Sequence, residues 1–322
     1  MVGSSIGGTA DRPALLVVGA ASRDLTAHDR RGWRLGGGVT YGALTAARLG
    51  LPVRALIGVD SDASTAQELV LLKEAGIELE LVALEQGPVM ENRETPAGRV
   101  QLVSQASQQL PVAALPDDWR EQAGVLLAPV ADELADDWSS AFPGRTLVAL
   151  AWQGLFRRLV AGRLMEHLPL RPRALVTRAD VALVSADDAA AGGAPLVELL
   201  RRDGQQLVVS HGPRGVLHLA LHAGRLHARR LPAISAEREV DSTGAGDVFL
   251  AAWVAAVLAA RRAGRTADDW RALAVAAATA GLSVRASGLE ELPDLADVCA
   301  LLRRWPATPP SAPSPSGQRP PT

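Results

Sequence analysis

The chain has 322 residues, 48% of them apolar, and a formal net charge of −2. That length suits one large α/β domain or two small ones, and the charge balance leaves no footprint for nucleic acid or another polyanion. A single cysteine, Cys299, excludes an internal disulfide framework and a cysteine-rich zinc site and fits a reducing cytoplasm, while Lys73, the only lysine, is the sole candidate for any lysine chemistry.

Residues 1–13 are small and polar, lack a signal-peptide pattern, and are expected to be disordered. The apolar run 14–21 reads as a strand buried on both faces. Residues 24–38 are polar and suit a short exposed strand or loop. A helix is predicted over 40–50, with Gly50 as C-cap before Pro52. A strand over 53–60, a Ser/Thr-capped helix over 64–76 and a strand over 77–84 follow. Segment 86–110 is polar, carries turn residues, and reads as a β-excursion from the main sheet. Further strands are predicted at 124–130, 146–152, 181–185 and 206–212, with a helix over 195–204. Residues 215–232 alternate around Ala223-Gly224 as a hairpin. The last third is helical, over 246–263 and 267–285. Its apolar run 248–260 is too short to span a bilayer. The tail 305–322 is rich in Pro and Ser and is expected to be disordered. Short strand–helix alternation predicts a mostly parallel sheet with crossover helices.

"DSTGAGD" (241–247) carries the chemistry. A turn of small residues opening a helix leaves backbone N–H groups unpaired at the positive end of the helix dipole, which makes an anion site. An acid at its mouth, Asp247, is misplaced for anion binding alone. It makes sense as a base that takes a proton from a hydroxyl attacking a bound phosphoryl group. The same pattern also fits a plain helix start in which Asp241 or Ser242 is the cap. No Gly-x-x-x-x-Gly-Lys-Ser/Thr exists, and "GGGVTYG" (36–42) has Tyr41 where a dinucleotide fingerprint needs its third glycine. A hydrolase triad has no Gly-x-Ser-x-Gly elbow to stand on.

"DSTGAGDVFLAAW" resembles the C-terminal signature of the PfkB, or ribokinase-like, carbohydrate kinases, and "GGGVTYGALTAARLGLPVRALIGVDSDAS" (36–64) resembles their N-terminal one. The resemblance runs over roughly residues 14 to 303. It implies a Rossmann-like three-layer α/β/α sandwich with a mostly parallel sheet over 14–304, and a small β lid from about 24–36 and 86–110. It implies transfer of phosphate from ATP, with Mg²⁺, to a hydroxyl of a small sugar, inositol-like polyol or nucleoside. By position, Asp247 is implied as general base and the backbone of Gly244, Ala245 and Gly246 as anion hole. Asp24, Gly36, Gly37, Tyr41 and Asn92 fall in the implied substrate site, and Ser210, Gly212, Gly215, Ala277 and Gly281 along the nucleotide. Asp188 is implied for magnesium and Asp241 for a monovalent cation. Two departures stand out. Tyr41 replaces an asparagine common in the family's sugar kinases, and the family's Asn-x-x-Glu becomes Ser185-x-x-Asp188. These departures keep open a non-catalytic binder or sensor of a sugar or nucleotide. The expected assembly is a monomer or homodimer without a nucleic-acid or membrane partner.

Arg93 and Arg99 in the excursion either read hydroxyls or form a solvated face. His218, His222 and His227 lack an acid or cysteine to complete a metal site and are expected on an exposed hairpin face. Trp33 either lines the substrate pocket or packs the lid, and Trp152 and Trp253 are expected in the core.

Overall fold

The computed structural model describes residues 15–95, 98–169, 171–193, 196–234 and 238–305. The segments expected to be disordered, 1–13 and all but the first residue of 305–322, lie outside the described residues. Strand β1 (Leu15–Ala20) is buried throughout because its side chains serve two cores. Leu15 and Val17 face one, Leu16 and Val18 the other. The chain leaves the sheet for β2 (Ser22–Leu25) and β3 (Trp33–Gly36) and returns through α1 (Gly38–Arg48), β4 (Val53–Val59), α2 (Gln67–Glu74) and β5 (Glu78–Ala83). A second excursion, β6 (Val89–Thr95) and β7 (Gly98–Gln105), precedes β8 (Gly124–Leu127) and β9 (Leu147–Ala151). The two-residue strands β10 (Arg157–Arg158) and β11 (Glu166–His167) pair with each other. Then come α3 (Ala174–Arg178), β12 (Val181–Ser185), α4 (Ala186–Gly192), β13 (Gln206–Ser210), β14 (Val216–His222) and β15 (Arg225–Leu231). Helices α5 (Ala245–Arg262), α6 (Asp269–Ser283) and α7 (Leu295–Leu302) close the chain.

The main sheet runs β15-β14-β13-β12-β9-β8-β1-β4-β5. It is parallel from β13 to β5; β14 pairs antiparallel with β13 and β15 antiparallel with β14, so β14 alone is reversed. The two excursions join in one lid sheet of order β3-β2-β6-β7. The fold is the expected ribokinase-like sandwich, with unequal layers. One face carries the long α1, α5 and α6. The other is filled by Trp119, Trp138 and Trp152 under short 3-10 turns and the brief α3 and α4. Strands add to β1 on both sides, β4 and β5 one way and β8, β9, β12 and β13 the other. The crevice beyond the carboxyl ends at such a reversal is where α/β sheets place ligands.

Three local expectations change. The stretch 64–76 opens with a 3-10 turn, and α2 starts late without a side-chain cap. The hydroxyls of Ser64 and Thr65 donate to Ser61 and Asp62 carbonyls instead. Of the helix expected over 195–204, only a 3-10 turn at Leu196–Leu199 forms among the described residues, since so short a segment gains little from helix propagation. His218 is not on an exposed face: it is 3% exposed, and its Nε2 lies 2.7 Å from Gln206 Oε1. Burial pushes its pKa down, so the imidazole is held neutral in the sheet.

Candidate active site

Two helix N-termini meet in the crevice, and glycine makes both. Gly37 precedes α1 with φ 94°, and a Cβ there would stand 2.7 Å from the Ala20 carbonyl oxygen. Gly244 precedes α5 with φ 75° in the left-handed region. Neither helix has a side-chain cap. The turn before α5 is shaped by Asp241, whose Oδ1 accepts the Thr243 N–H at 2.9 Å and its hydroxyl at 2.6 Å. Ala245 N–H closes back on the Ser242 carbonyl at 3.2 Å. Of the three groups expected as anion hole, Ala245 is therefore committed to the turn. The N–H groups of Gly244 and Gly246 form no hydrogen bond among the described residues.

Asp247 sits in the first turn of α5 and its carboxylate reaches the start of α1. A Cβ at Gly38 would lie 2.6 Å from its Oδ1, so Gly38 has to be bare. Loss of hydration pushes the Asp247 pKa up to about 6; Arg157 opposes this and Asp24 adds to it. Tyr41, one turn into α1, is 6% exposed and lies flat on Gly244, where an added Cβ would stand 2.7 Å from the ring. Burial, with Asp24, Asp241 and Asp247 nearby, raises its pKa and keeps the phenol neutral. Tyr41 thus takes a packing position against the turn as well as lining the cavity.

The cavity holds about 880 Å³, and its lining includes Asp24, Gly37, Tyr41, Asn92 and Gln101. Ser22 Oγ donates to Asp24 Oδ1 at 2.9 Å, and Gln101 donates to Asn92 Oδ1 at 2.9 Å, so the lid presents its polar groups pre-oriented. Gly36, beside Asp24 and Ser22, has no space for a side chain. The cavity is also lined by Arg157, His167, Ser185, Asp188, Ser210, His211, Gly212 and Arg214. A smaller cavity of about 450 Å³ shares Asp24, Tyr41, Asn92 and Asp241's neighbours Ser242 and Thr243.

Not every expected residue converges. Gly215 is packed against the backbone of Leu231 and Pro232 at the base of the hairpin, and Ala277 and Gly281 on α6 line neither cavity. The side chain of Arg99 lies outside the described residues. Trp33 also lines neither cavity. Its ring receives the guanidinium of Arg31, 4.6 Å from the centroid, and that of Arg23. Trp152 and Trp253 are in the core as expected. Sequence reasoning missed Arg157 and His167, which a loop hairpin of no recognisable pattern carries into the cavity. It also missed Glu133. This fully buried carboxylate accepts N–H groups of Ala20, Val130 and Ala131 and so fixes the cavity wall at the end of β1.

The cation sites implied by resemblance fare poorly. No group of three or more His, Cys, Asp or Glu suited to a metal exists among the described residues. Asp188 is buried and already engaged by Arg157 Nη2 at 3.1 Å, His167 Nδ1 at 3.3 Å and the Ser185 hydroxyl at 2.7 Å. A divalent ion there would face a guanidinium, so the residues present do not fit protein-held magnesium. Asp241 Oδ2 accepts from Ser287 Oγ at 2.8 Å, which in turn accepts from Arg34 Nη1. With an arginine already at that cluster, the residues do not fit a monovalent cation either.

The fold is ribokinase-like. The model of the pfkB family carbohydrate kinases matches residues 169–295 of this chain. No curated protein matches the sequence. Among solved structures, a pyrophosphate-dependent kinase of the ribokinase family, complexed with a pyrophosphate analogue and myo-inositol, is 19% identical with TM-score 0.68, over 89% of this chain and 99% of that one. Ribokinase of Arabidopsis thaliana, complexed with ribose and ATP, is 20% identical with TM-score 0.65, over 90% and 99%. The nucleoside kinase of Methanocaldococcus jannaschii is 16% identical with TM-score 0.64, over 90% and 98%. Identities this low establish the shared fold. No helix among the described residues is long and apolar enough to cross a membrane.

Proposed function

We propose that this protein is a small-molecule kinase that transfers the terminal phosphoryl group of ATP to a hydroxyl of a small polyol, sugar or nucleoside. One observation carries the reading: a carboxylate with a raised pKa, Asp247, stands where two uncapped helix N-termini open into one cavity. The acceptor hydroxyl gives its proton to Asp247 as its oxygen bonds to the terminal phosphorus. The bond from that phosphorus to the bridging oxygen breaks, and ADP leaves. The free N–H groups of Gly244 and Gly246 face the charge that develops on the transferred oxygens. Asp24 and Asn92, on adjacent lid strands, suit a ring of hydroxyls. The solved complexes with myo-inositol and with ribose favour a polyol or sugar acceptor.

The test is acceptor-dependent release of ADP across inositols, sugars and nucleosides, with a parallel arm using pyrophosphate as donor. Turnover with one acceptor class is the expected result. Tight acceptor binding without turnover from either donor would replace the kinase with a non-catalytic sensor.

A further inference from the structure

The carboxylate to which the family resemblance assigns the metal, Asp188, is held by Arg157 in this cavity. Arg157 Nη2 donates to both oxygens of Asp188, at 3.3 and 3.1 Å, and His167 Nδ1 lies 3.3 Å from the same carboxylate. These contacts occupy one edge of the guanidinium. Its Nε–H is buried and has no partner among the described residues, and neither has Nε2 of His211, which lines the same cavity. Arg157 and His211 thus each keep one shielded guanidinium or ring nitrogen without a partner among the described residues, as do Trp152 and Trp253 elsewhere. Arginine suits the position, because its planar fork serves a carboxylate with one edge and phosphate oxygens with another. Ser185 caps α4 and donates to Asp188, so that carboxylate is fixed as a brace.

We infer that Arg157, braced by Asp188 and His167, binds the donor's phosphates and supplies the neutralising charge that the family resemblance assigns to a protein-held divalent cation. The inference rests on the proposed donor site and names how that site works. Magnesium arriving on ATP is then a passenger of the donor, not a ligand of the protein.

The experiment is calorimetric titration of the full chain with ATP and with inorganic pyrophosphate, each in EDTA and again in Mg²⁺. At least one donor is expected to bind in EDTA within about tenfold of its affinity in Mg²⁺. Arg157→Met is expected to weaken that metal-free binding by about 10- to 100-fold, the range for losing a hydrogen-bonded charge. Arg158→Met removes the same charge from the exposed neighbouring position and should leave binding unchanged. Arg157→Met/Asp188→Asn removes both charges together and checks that the loss is not a folding defect. Asp188→Asn alone should weaken binding equally with and without Mg²⁺. Binding that requires Mg²⁺ for both donors, or an Arg157→Met protein that binds like the parent, overturns the inference and leaves the kinase reading standing. Absence of donor binding under both conditions overturns both.

Discussion

Helices α5 and α6 pack against each other, yet they begin in opposite ways. The first turn of α6 is closed by Asp268, whose carboxylate accepts the Trp270 N–H at 3.0 Å. The first turn of α5 follows a left-handed glycine and has no side-chain cap. A missing cap costs about 1 kcal/mol. The rest of α5 offsets that readily, because burying side chains such as Phe249, Leu250 and Trp253 contributes about 1.5–3 kcal/mol each. The contrast separates two uses of a helix start. Where only stability matters, a side chain satisfies the open N–H groups. At α5, which opens into the cavity, the Gly244 and Gly246 N–H groups are left without a partner among the described residues, and the proposed function gives them to a ligand.

The sharpest way to break the contrast is Asp247→Asn, which removes the proposed base and keeps the turn. Turnover is expected to fall by about 10³-fold, within the usual span of general-base catalysis, while thermal unfolding shows an intact fold. Turnover near that of the parent protein would remove Asp247 from the mechanism. The same group sets a pH dependence. With its pKa at about 6 instead of 3.8, kcat/KM should fall as pH drops through about 6. Stability runs the other way. The folded state favours the protonated acid, so its contribution is full below the unfolded pKa and is lost as pH rises from about 4 to about 6. Asp247→Asn lacks this loss, and the stability gap between the two proteins should widen over that window and then stay level.

Next in size is Gly244→Ala. The left-handed conformation penalises a side chain by about 1–2 kcal/mol, and the new Cβ also meets the Tyr41 ring. Both the unfolding midpoint and turnover should drop. In a Gly244→Ala/Tyr41→Ala cycle the clash should be relieved and the backbone part should persist; purely additive effects would remove Tyr41 from contact with the turn. The smallest effect is expected from Asp268→Ala, a loss of about 1 kcal/mol in denaturant unfolding with turnover unchanged. A matching loss of turnover would show that the two helix starts are coupled and would blur the distinction drawn between them.

Much of this was legible in the chain. The buried run at β1, the strand–helix alternation and the Gly-Ala-Gly turn before α5 are local patterns; they specified the mostly parallel sheet with crossover helices and put Asp247 at a helix start, while the layered sandwich was implied by the family resemblance. The uneven layers were not legible. The second face is filled by Trp119, Trp138 and Trp152 from irregular segments, and aromatic burial in loops has no period to read. His218 shows the same limit, because strand alternation placed it with His222, while the partner that buries it, Gln206, lies on the neighbouring strand.

The sequence by itself determined the fold class, the glycine turns and the acid beside them, because backbone conformation and burial period are written in consecutive residues. Only the tertiary structure decided that Tyr41 lies on Gly244, that Asp247 reaches Gly38, and that Arg157 and His167 hold Asp188. These pairs are 203, 209, 31 and 21 residues apart in the numbering. Contacts at such separations depend on which elements the sheet order brings to one crevice, and no local pattern records that.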